Sequence, residues 1–311
     1  MIRLFTCLGR HGRWVLPGGL LAGLLMPWAA ETMRQAIPAF IGILLFLALL
    51  RILPDSRAAA SFRQGGAWSG TLLGVVLAQI GLPLLVLLVM TIGNAPPLWS
   101  LAAALVAAAP PISGCPNLVL LLRGDAALAM RWLMLGTAIL PLSCLPVMYL
   151  LFPEQSVTTL LRPALVLLAL IGTSILLAVA VLRLSRSLQW TMNADALDGL
   201  GAVVLALMVI GLMAAVHDPH NGWPEIGQAL MLAVIINVGF QCLGVIVSVG
   251  LKRGRSCSVA TGVANGNRNI ALFLAALPAG QMESLLLFIA CYQVPMYLTP
   301  LLGDLFYGRL E

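Results

Sequence analysis

Long apolar runs separated by short polar stretches fill most of this 311-residue chain. Each run is close to the roughly 20 residues that a helix needs to cross a bilayer. The pattern therefore predicts ten transmembrane helices. They are expected at 14–30, 36–53, 68–92, 98–122, 128–152, 160–183, 197–216, 224–250, 257–279 and 283–307.

The fourth and ninth predicted spans contain clusters of helix breakers and amides. The fourth has three prolines and a glycine within 110–117, and the ninth has two glycines and three asparagines within 261–269. Irregular backbone at membrane depth persists only where protein or a watery cavity satisfies its polar groups. Discontinuous helices of this kind form the binding sites of many secondary transporters. The sequence thus predicts a transporter whose site lies where the two breaks meet.

The two broken spans are five spans apart, which indicates an internal repeat. An odd number of spans in the repeat unit inverts the second half relative to the first. The predicted fold is an all-α polytopic membrane protein with ten transmembrane helices in two inverted five-helix repeats. Helices four and nine are expected to be broken, with the two breaks meeting. The repeats are expected at 1–155 and 156–311, within a single membrane domain.

The first apolar segment has a second interpretation. Residues 1–13 are basic, 15–26 are apolar, and 27–31 resemble a signal-peptide cleavage region. Two inverted five-span halves require instead that this segment is retained as the first span. The repeat is the interpretation that we favour.

Composition and charge agree with a membrane protein. The chain is 61% hydrophobic and 9% charged, whereas soluble domains are roughly 45–50% apolar and about 25% charged. With the N-terminus inside, all but three of the seventeen Lys and Arg residues fall in cytoplasmic segments, the exceptions being Arg34, Arg162 and Arg268. The positive-inside rule then places both termini in the cytoplasm, as in a bacterial inner (plasma) membrane. Basic residues scattered in this way do not indicate a nucleic-acid partner, so the expected partners are the lipid bilayer and a substrate.

Arg268 is the only charged residue predicted deep in the bilayer, and no Asp or Glu lies in the middle of a span. An unpaired guanidinium there costs at least roughly 2.5–3.5 kcal/mol. Half-helix carbonyls and nearby asparagines could compensate it permanently. Alternatively, a carboxylate, phosphate or sulfonate of a small organic anion could pair with its planar fork, which suits bidentate recognition of oxyanions.

Polar residues in and near the two breaks complete the candidate site. Asparagines and backbone N–H groups would orient the substrate, although buried amides often only join helices. The cysteines are interpreted as small core residues. No metal-ligand or catalytic constellation is apparent, so we expect neither enzyme activity, a cofactor nor a metal. The substrate-binding candidates are Arg268, Asn117, Asn265, Asn267, Asn269, Ser113, Gly114, Gln79 and Gln293, with Arg131, Asn237 and Cys115 as secondary candidates.

Across most of its length the chain resembles the bile acid:sodium symporter family. Residues 111–117 followed by 124–128 are similar to that family's broken fourth span and the Gly-Asn/Asp-x-Ala-Leu stretch after it. Residues 264–269 are similar to its Glu-x-Gly-x-Gln-Asn segment. Gln79, four residues before Pro83, matches a Gln-x-x-x-Pro motif. The resemblance implies ten spans in two inverted halves with crossing broken helices.

The chain departs from this family at the residues that hold two sodium ions there. Ala264 stands in place of the Glu, Arg268 in place of the Gln and Pro116 in place of a Ser, and 129–133 lacks hydroxyl groups. We therefore expect the Arg268 guanidinium to stand in for bound sodium, so that anion transport is not coupled to sodium.

Three alternatives remain. Sodium could still bind through Gln79, Asn117 and Asn269 together with backbone carbonyls. Cys115 could act as a soft ligand, as the related arsenite permeases suggest. The chain could also be a membrane sensor or scaffold that does not transport.

Overall fold

The structure, a computed structural model, describes residues 12–52, 65–188, 193–277 and 279–308. Within these ranges the secondary structure is helical and contains no β-strand. Six helical stretches are long and apolar enough to cross a membrane, and one bent helix pair is a seventh candidate. The helices therefore indicate an integral multi-pass membrane protein. The six unbroken candidates are Trp68–Ile92, Ala126–Leu151, Val157–Ser187, Asp195–Val216, Trp223–Gly250 and Leu285–Gly303.

We number the helices of the described residues in chain order. A five-residue π-helical turn, Leu77–Gly81, joins α4 to α5, and a short 3-10 turn, Met213–Val216, follows α10. The helices are α1 (Gly12–Leu25), α2 (Pro27–Arg34), α3 (Ile37–Ile52), α4 (Gly65–Val76), α5 (Leu82–Ile92), α6 (Pro97–Ala108), α7 (Cys115–Leu121), α8 (Ala126–Leu151), α9 (Val157–Ser187), α10 (Ala194–Leu212), α11 (Trp223–Gly250), α12 (Arg255–Gly266), α13 (Ala271–Leu274) and α14 (Ala279–Tyr307).

The ten predicted apolar segments are all largely helical, but three of them are interrupted. The first ends at Leu25, and a separate helix begins at Pro27. Proline has no N–H and disfavours helical geometry in the residue before it, which explains the non-helical Met26 between them. The fourth and ninth segments are also interrupted. The all-helical membrane architecture is confirmed, and the ten-span inverted repeat stays a prediction.

The chain forms two compact units. Unit 1 consists of residues 1–59 and 169–227, and unit 2 of residues 60–168 and 228–311. The predicted repeat boundary between residues 155 and 156 concerns internal symmetry rather than contacts, so it too stays a prediction.

In unit 1, α1 packs closely against α10 and the 3-10 turn that follows it. A Cβ atom added at Gly19 would lie 2.9 Å from Ala206 Cβ, and one added at Gly23 would lie 2.7 Å from Met213 Cγ. The carbonyl of Gly23 would normally accept the N–H four residues later, but Pro27 has none. His217 Nε2 lies 3.0 Å from this carbonyl and donates the missing hydrogen bond.

A second contact in unit 1 joins the end of α3 to the start of α10. Arg51 Nε lies 3.2 Å and 3.3 Å from the two carboxylate oxygens of Asp198. At the other end of α3, α2 and α3 form the bent pair, with an angle of 72° between them. The eight residues of α2 therefore do not continue the line of α3.

In unit 2, α12 packs its glycines against neighbouring helices. Gly262 and Gly266 are four residues apart, the small-xxx-small spacing that lets membrane helices approach closely. A Cβ atom added at Gly262 would lie 2.8 Å from Tyr307 Oη, and one added at Gly266 would lie 2.6 Å from the Asn237 carbonyl. This close packing fixes the end of α12, from which the second break departs.

Candidate functional site

The first break separates α6 from α7. Pro110 and Pro111 cannot donate backbone hydrogen bonds, and a residue before proline favours extended geometry. Ala109 accordingly has φ −69° and ψ 150°, so α6 ends there. The chain becomes helical again at Cys115, with Pro116 in the first turn, where proline is well tolerated.

The second break separates α12 from α13. Asn267 follows α12 with φ −104° and ψ 83°, and helical structure resumes at Ala271. Glycine and asparagine are poor helix formers, so the sequence itself favours the interruption.

The two breaks are hydrogen-bonded to each other within unit 2. Ile112 N donates to the Asn267 carbonyl at 2.9 Å, and Asn269 N donates to the Pro110 carbonyl at 2.7 Å. These bonds flank an isolated antiparallel bridge between Pro111 and Arg268. Each break thus supplies partners for backbone groups that the other releases.

Arg268 lies at this bridge and is 1% exposed. Its Nε donates to the Asn265 carbonyl at 2.9 Å, Nη1 to the Ala109 carbonyl at 2.8 Å and Nη2 to Asn265 Oδ1 at 2.6 Å. All three acceptors are neutral. Among the residues that the structure describes, no carboxylate pairs with this guanidinium.

The acceptors of Arg268 are available because the helices end. In a continuous helix the Asn265 carbonyl would accept the N–H of Asn269, which here bonds to Pro110 instead. The Ala109 carbonyl similarly loses its intrahelical donor where α6 stops. The carbonyl ends of α6 and α12 therefore meet the cation, which suits the negative end of a helix dipole. Half-helix carbonyls and a nearby asparagine were one of the two expected ways to compensate this charge, and the structure has both around Arg268.

Residues of α11 and α14 hold the second break from another direction. Asn237 Nδ2 donates to the Gly266 carbonyl at 2.6 Å, and Tyr292 Oη also donates to that carbonyl. Tyr292 Oη in turn accepts the N–H of Arg268 at 3.4 Å. Thr299 Oγ1 lies 3.1 Å from Asn267 Oδ1. Each of these bonds fixes main chain or side chain next to the arginine.

A buried hydrogen-bond chain extends this support away from the break. Gln241 Nε2 donates to Asn237 Oδ1 at 2.7 Å, and Tyr307 Oη donates to Gln241 Oε1 at 2.7 Å. Gln241 Nε2 also lies 3.3 Å from Thr299 Oγ1. Apolar side chains around these groups exclude water, so a satisfied network of this kind specifies one backbone arrangement.

The structure brings four of the predicted asparagines to the second break, with different surroundings. Asn265 and Asn267 are buried and bonded to protein at both ends of the amide, with Nδ2 donating to the carbonyls of Thr261 and Val263. Asn237 is buried as well, whereas Asn269 is half-buried. In this conformation Asn265 binds the arginine, whereas the side chain of Asn267 bonds to Val263 and Thr299.

The predicted residues of the first break lie partly at the surface. The side chains of Ser113 and Asn117 are exposed, and Gly114 is half-buried. Cys115 is fully buried in an apolar cluster with Val119 and Val263, as expected for a packing residue.

Three further candidates are buried in unit 2. Gln79 lies in the π-helical turn, and its Nε2 donates to the Gly136 carbonyl at 3.2 Å, whereas its Oε1 has no hydrogen-bond partner. A Cβ atom at Gly136 would lie 3.3 Å from both Pro110 and Pro111, so Gln79 is close to the first break. Gln293 Nε2 bonds within α14, and its Oε1 also has no partner. Arg131 is 8% exposed within α8.

Several groups at the site were not among the residues predicted from the sequence. Tyr292 and Thr299 lie in the apolar run of α14, and Ala109 contributes only its carbonyl oxygen. The two prolines after Ala109 were the sequence signal for this carbonyl. They end the helix, and the last carbonyls of a helix have no intrahelical N–H donor.

Within the described ranges, no group of three or more His, Cys, Asp or Glu side chains is arranged to hold a metal ion. Comparison of the chain with protein-family models and with curated proteins finds no match.

Proposed function

We propose that this protein is a secondary transporter that carries a small organic anion across the membrane by alternating access, without coupling to sodium. The observation that supports this most is the buried Arg268 guanidinium at the paired breaks, held by three neutral oxygens. A charged residue within a membrane helix marks a substrate or ion pathway more often than a purely structural contact.

The neutral oxygens stabilise the guanidinium but do not cancel its charge. A helix dipole has a positive end as well as a negative one, so α6 and α12 add no net charge. At an effective dielectric constant of 20, an anion about 8 Å from a unit positive charge gains about 2 kcal/mol. Arg268 can therefore attract an anion even if the two never touch.

The exposed polar side chains of the first break supply a place for the substrate to contact. Ser113 follows the bridge residue Pro111 by two positions, and Asn117 lies one helical turn further. Hydroxyl and amide groups within a predicted span are unfavourable against lipid tails and favourable against a water-filled cavity. We assign them the polar contacts with the substrate and assign Arg268 the attraction of its charge.

The pairing of the breaks restricts the transport mechanism. Both breaks belong to unit 2. Residues 110–112 and 267–269 share two backbone hydrogen bonds, so the two breaks move together. Alternating access would then move one helix group relative to the other and would not separate the breaks. The ten-span inverted repeat, the cytoplasmic termini and a relationship to the bile acid:sodium symporter family belong to this proposal.

One observation favours a second candidate, a sodium:organic anion symporter. The buried Gln79 Oε1 has no partner and lies beside the first break, where an unsatisfied acceptor is costly. A sodium ion could use this oxygen together with those of Asn117 and Asn269. We favour the uncoupled transporter because the nearby guanidinium would repel such an ion.

Transport in proteoliposomes distinguishes the two candidates. We expect the purified protein to exchange labelled organic anions, chosen from a panel of carboxylates that includes a bile acid and a 2-keto acid, at the same rate with and without a sodium gradient. Binding of ²²Na⁺ should not exceed that of protein-free liposomes. Strict dependence of uptake on sodium would establish the symporter instead, and uptake of no anion in the panel would contradict anion transport.

A further inference from the structure

An open cavity of about 340 Å³ lies in unit 1. One wall is the α2 helix, which contributes Glu31 and Arg34. The other wall is the segment after α10, which contributes His217, Asp218 and His220. The proposed transport function uses none of these residues.

The cavity carries both signs of charge. Arg34 Nη1 lies 3.9 Å from Glu31 Oε2, a loose contact that leaves the Glu31 side chain 64% exposed. The backbone N–H and the ring of His220 both donate to Asp218 Oδ1, at 3.0 Å and 2.8 Å. Chiefly through the backbone bond they lower the pKa of Asp218, so its carboxylate is charged at neutral pH. Among its Asp, Glu and Arg side chains, two carboxylates and one guanidinium give the cavity one more negative charge than positive.

The cavity lies at the ends of candidate membrane spans. One candidate span ends at Val216 and the next begins at Trp223, so we expect the loop between them where the bilayer meets water. Apolar side chains flank the polar walls, with Leu25 79%, Trp28 71% and Trp223 85% exposed. Exposed tryptophans are typical of the headgroup level of a membrane.

We propose that this cavity binds the headgroup of phosphatidylethanolamine, with the lipid's ammonium against Glu31 and Asp218 and its phosphate against Arg34. The carboxylates accept hydrogen bonds, and a primary ammonium has three N–H donors to offer. The planar guanidinium suits the phosphate. The acyl chains would lie against the exposed apolar residues beside α2.

The charge pattern favours this lipid over others. Phosphatidylcholine has the same two charges, but its quaternary ammonium has no N–H to donate to the carboxylates. Phosphatidylglycerol has a phosphate and no cation, so the net negative cavity would repel it. A soluble molecule of the same headgroup chemistry lacks the apolar contacts with Leu25 and Trp28.

The test compares lipids in nanodiscs that contain the full-length protein. We expect added phosphatidylethanolamine to raise the thermal unfolding midpoint in phosphatidylcholine discs. In Glu31→Gln the lipid fraction that gives half of this effect should increase about threefold, the size expected for an exposed ion pair. Glu225→Gln removes an exposed carboxylate outside the cavity at the start of α11 and should behave like the wild type.

Three results would overturn the proposal. One is equal stabilisation by phosphatidylglycerol and phosphatidylethanolamine. Another is an unchanged lipid response in Glu31→Gln. The third is an equal effect of soluble phosphoethanolamine, which would assign the cavity to a water-soluble ligand. None of these measurements involves transport, so they are independent of the proposed function.

Discussion

Replacing Arg268 with glutamine is expected to lower the affinity for the transported anion about 10- to 100-fold. This range corresponds to the loss of about 2 kcal/mol of electrostatic attraction. Glutamine keeps an amide that can donate to the oxygen atoms of Asn265 but removes the positive charge. Measuring anion-dependent thermal stabilisation and the half-saturating concentration for exchange in proteoliposomes would determine the effect.

Arg268→Ala should have a different consequence, because it also removes all three donors. The carbonyls of Ala109 and Asn265 and the side-chain oxygen of Asn265 would then lack partners at membrane depth. Each unsatisfied buried group costs about 1–3 kcal/mol. We therefore expect Arg268→Ala to be less stable as well as inactive, and Arg268→Gln to separate the two effects.

Arg162→Gln is the matched control. Arg162 is an exposed arginine in α9, so the variant changes the net charge equally without touching the breaks. We expect it to exchange anions with wild-type affinity. If Arg268→Gln also retained wild-type affinity while remaining folded, the arginine would have only a structural role, and the proposed attraction of the anion would be wrong.

The interruptions themselves could be predicted from the sequence because their cause is local. Proline at 110 and 111 removes donors whatever the surroundings, and the glycines and asparagines of 262–269 disfavour helix in any context. The all-helical membrane architecture follows from the length of the apolar runs. The lack of a carboxylate partner for Arg268 could also be predicted, since no Asp or Glu lies in the middle of a predicted span.

The sequence indicated the kind of partner that Arg268 has, half-helix carbonyls and nearby asparagines, but not the full set of groups around it, because that set depends on which face each helix presents. Gln293 was a candidate and Tyr292 was not, yet Tyr292 bonds to Gly266 and Arg268 whereas Gln293 bonds within its own helix. Adjacent residues on a helix point about 100° apart. In α14 apolar residues occur on all sides, so the sequence does not indicate the facing. Ala109 contributes a backbone oxygen and leaves no sequence signal of its own.

The break inside the first predicted span was not predicted from its hydropathy. Its apolar content predicted one helix through 14–30, but the structure begins a new helix at Pro27. The charged residues Glu31 and Arg34 lie on that short helix and line the cavity of unit 1. Mean hydropathy does not reveal a helix break. Pro27, followed by the charged residues Glu31 and Arg34, is the sequence feature that indicates one.

Glycine-mediated packing around the second break leads to the other large expected effect. Gly244 in α11 faces α12, and a Cβ atom added there would lie 2.6 Å from the Thr261 carbonyl oxygen and 3.0 Å from Asn265 Nδ2. The nearest atom belongs to the main chain, so relief requires α12 to shift. We expect Gly244→Ala to lower the free energy of unfolding by about 1–3 kcal/mol, the usual cost of overpacking.

Gly239→Ala in the same helix is the control, since a Cβ atom there would meet no atom within 4 Å. Alanine is a better helix former than glycine by up to about 1 kcal/mol, so this variant should be as stable as the wild type or more stable. Unfolding in detergent, followed by circular dichroism, would compare the two. Because α12 carries Asn265 and leads into Arg268, Gly244→Ala should also weaken anion exchange. Equal stability of the two variants would show that α11 and α12 do not pack through this glycine, and the positioning of Arg268 by α12 would then need another explanation.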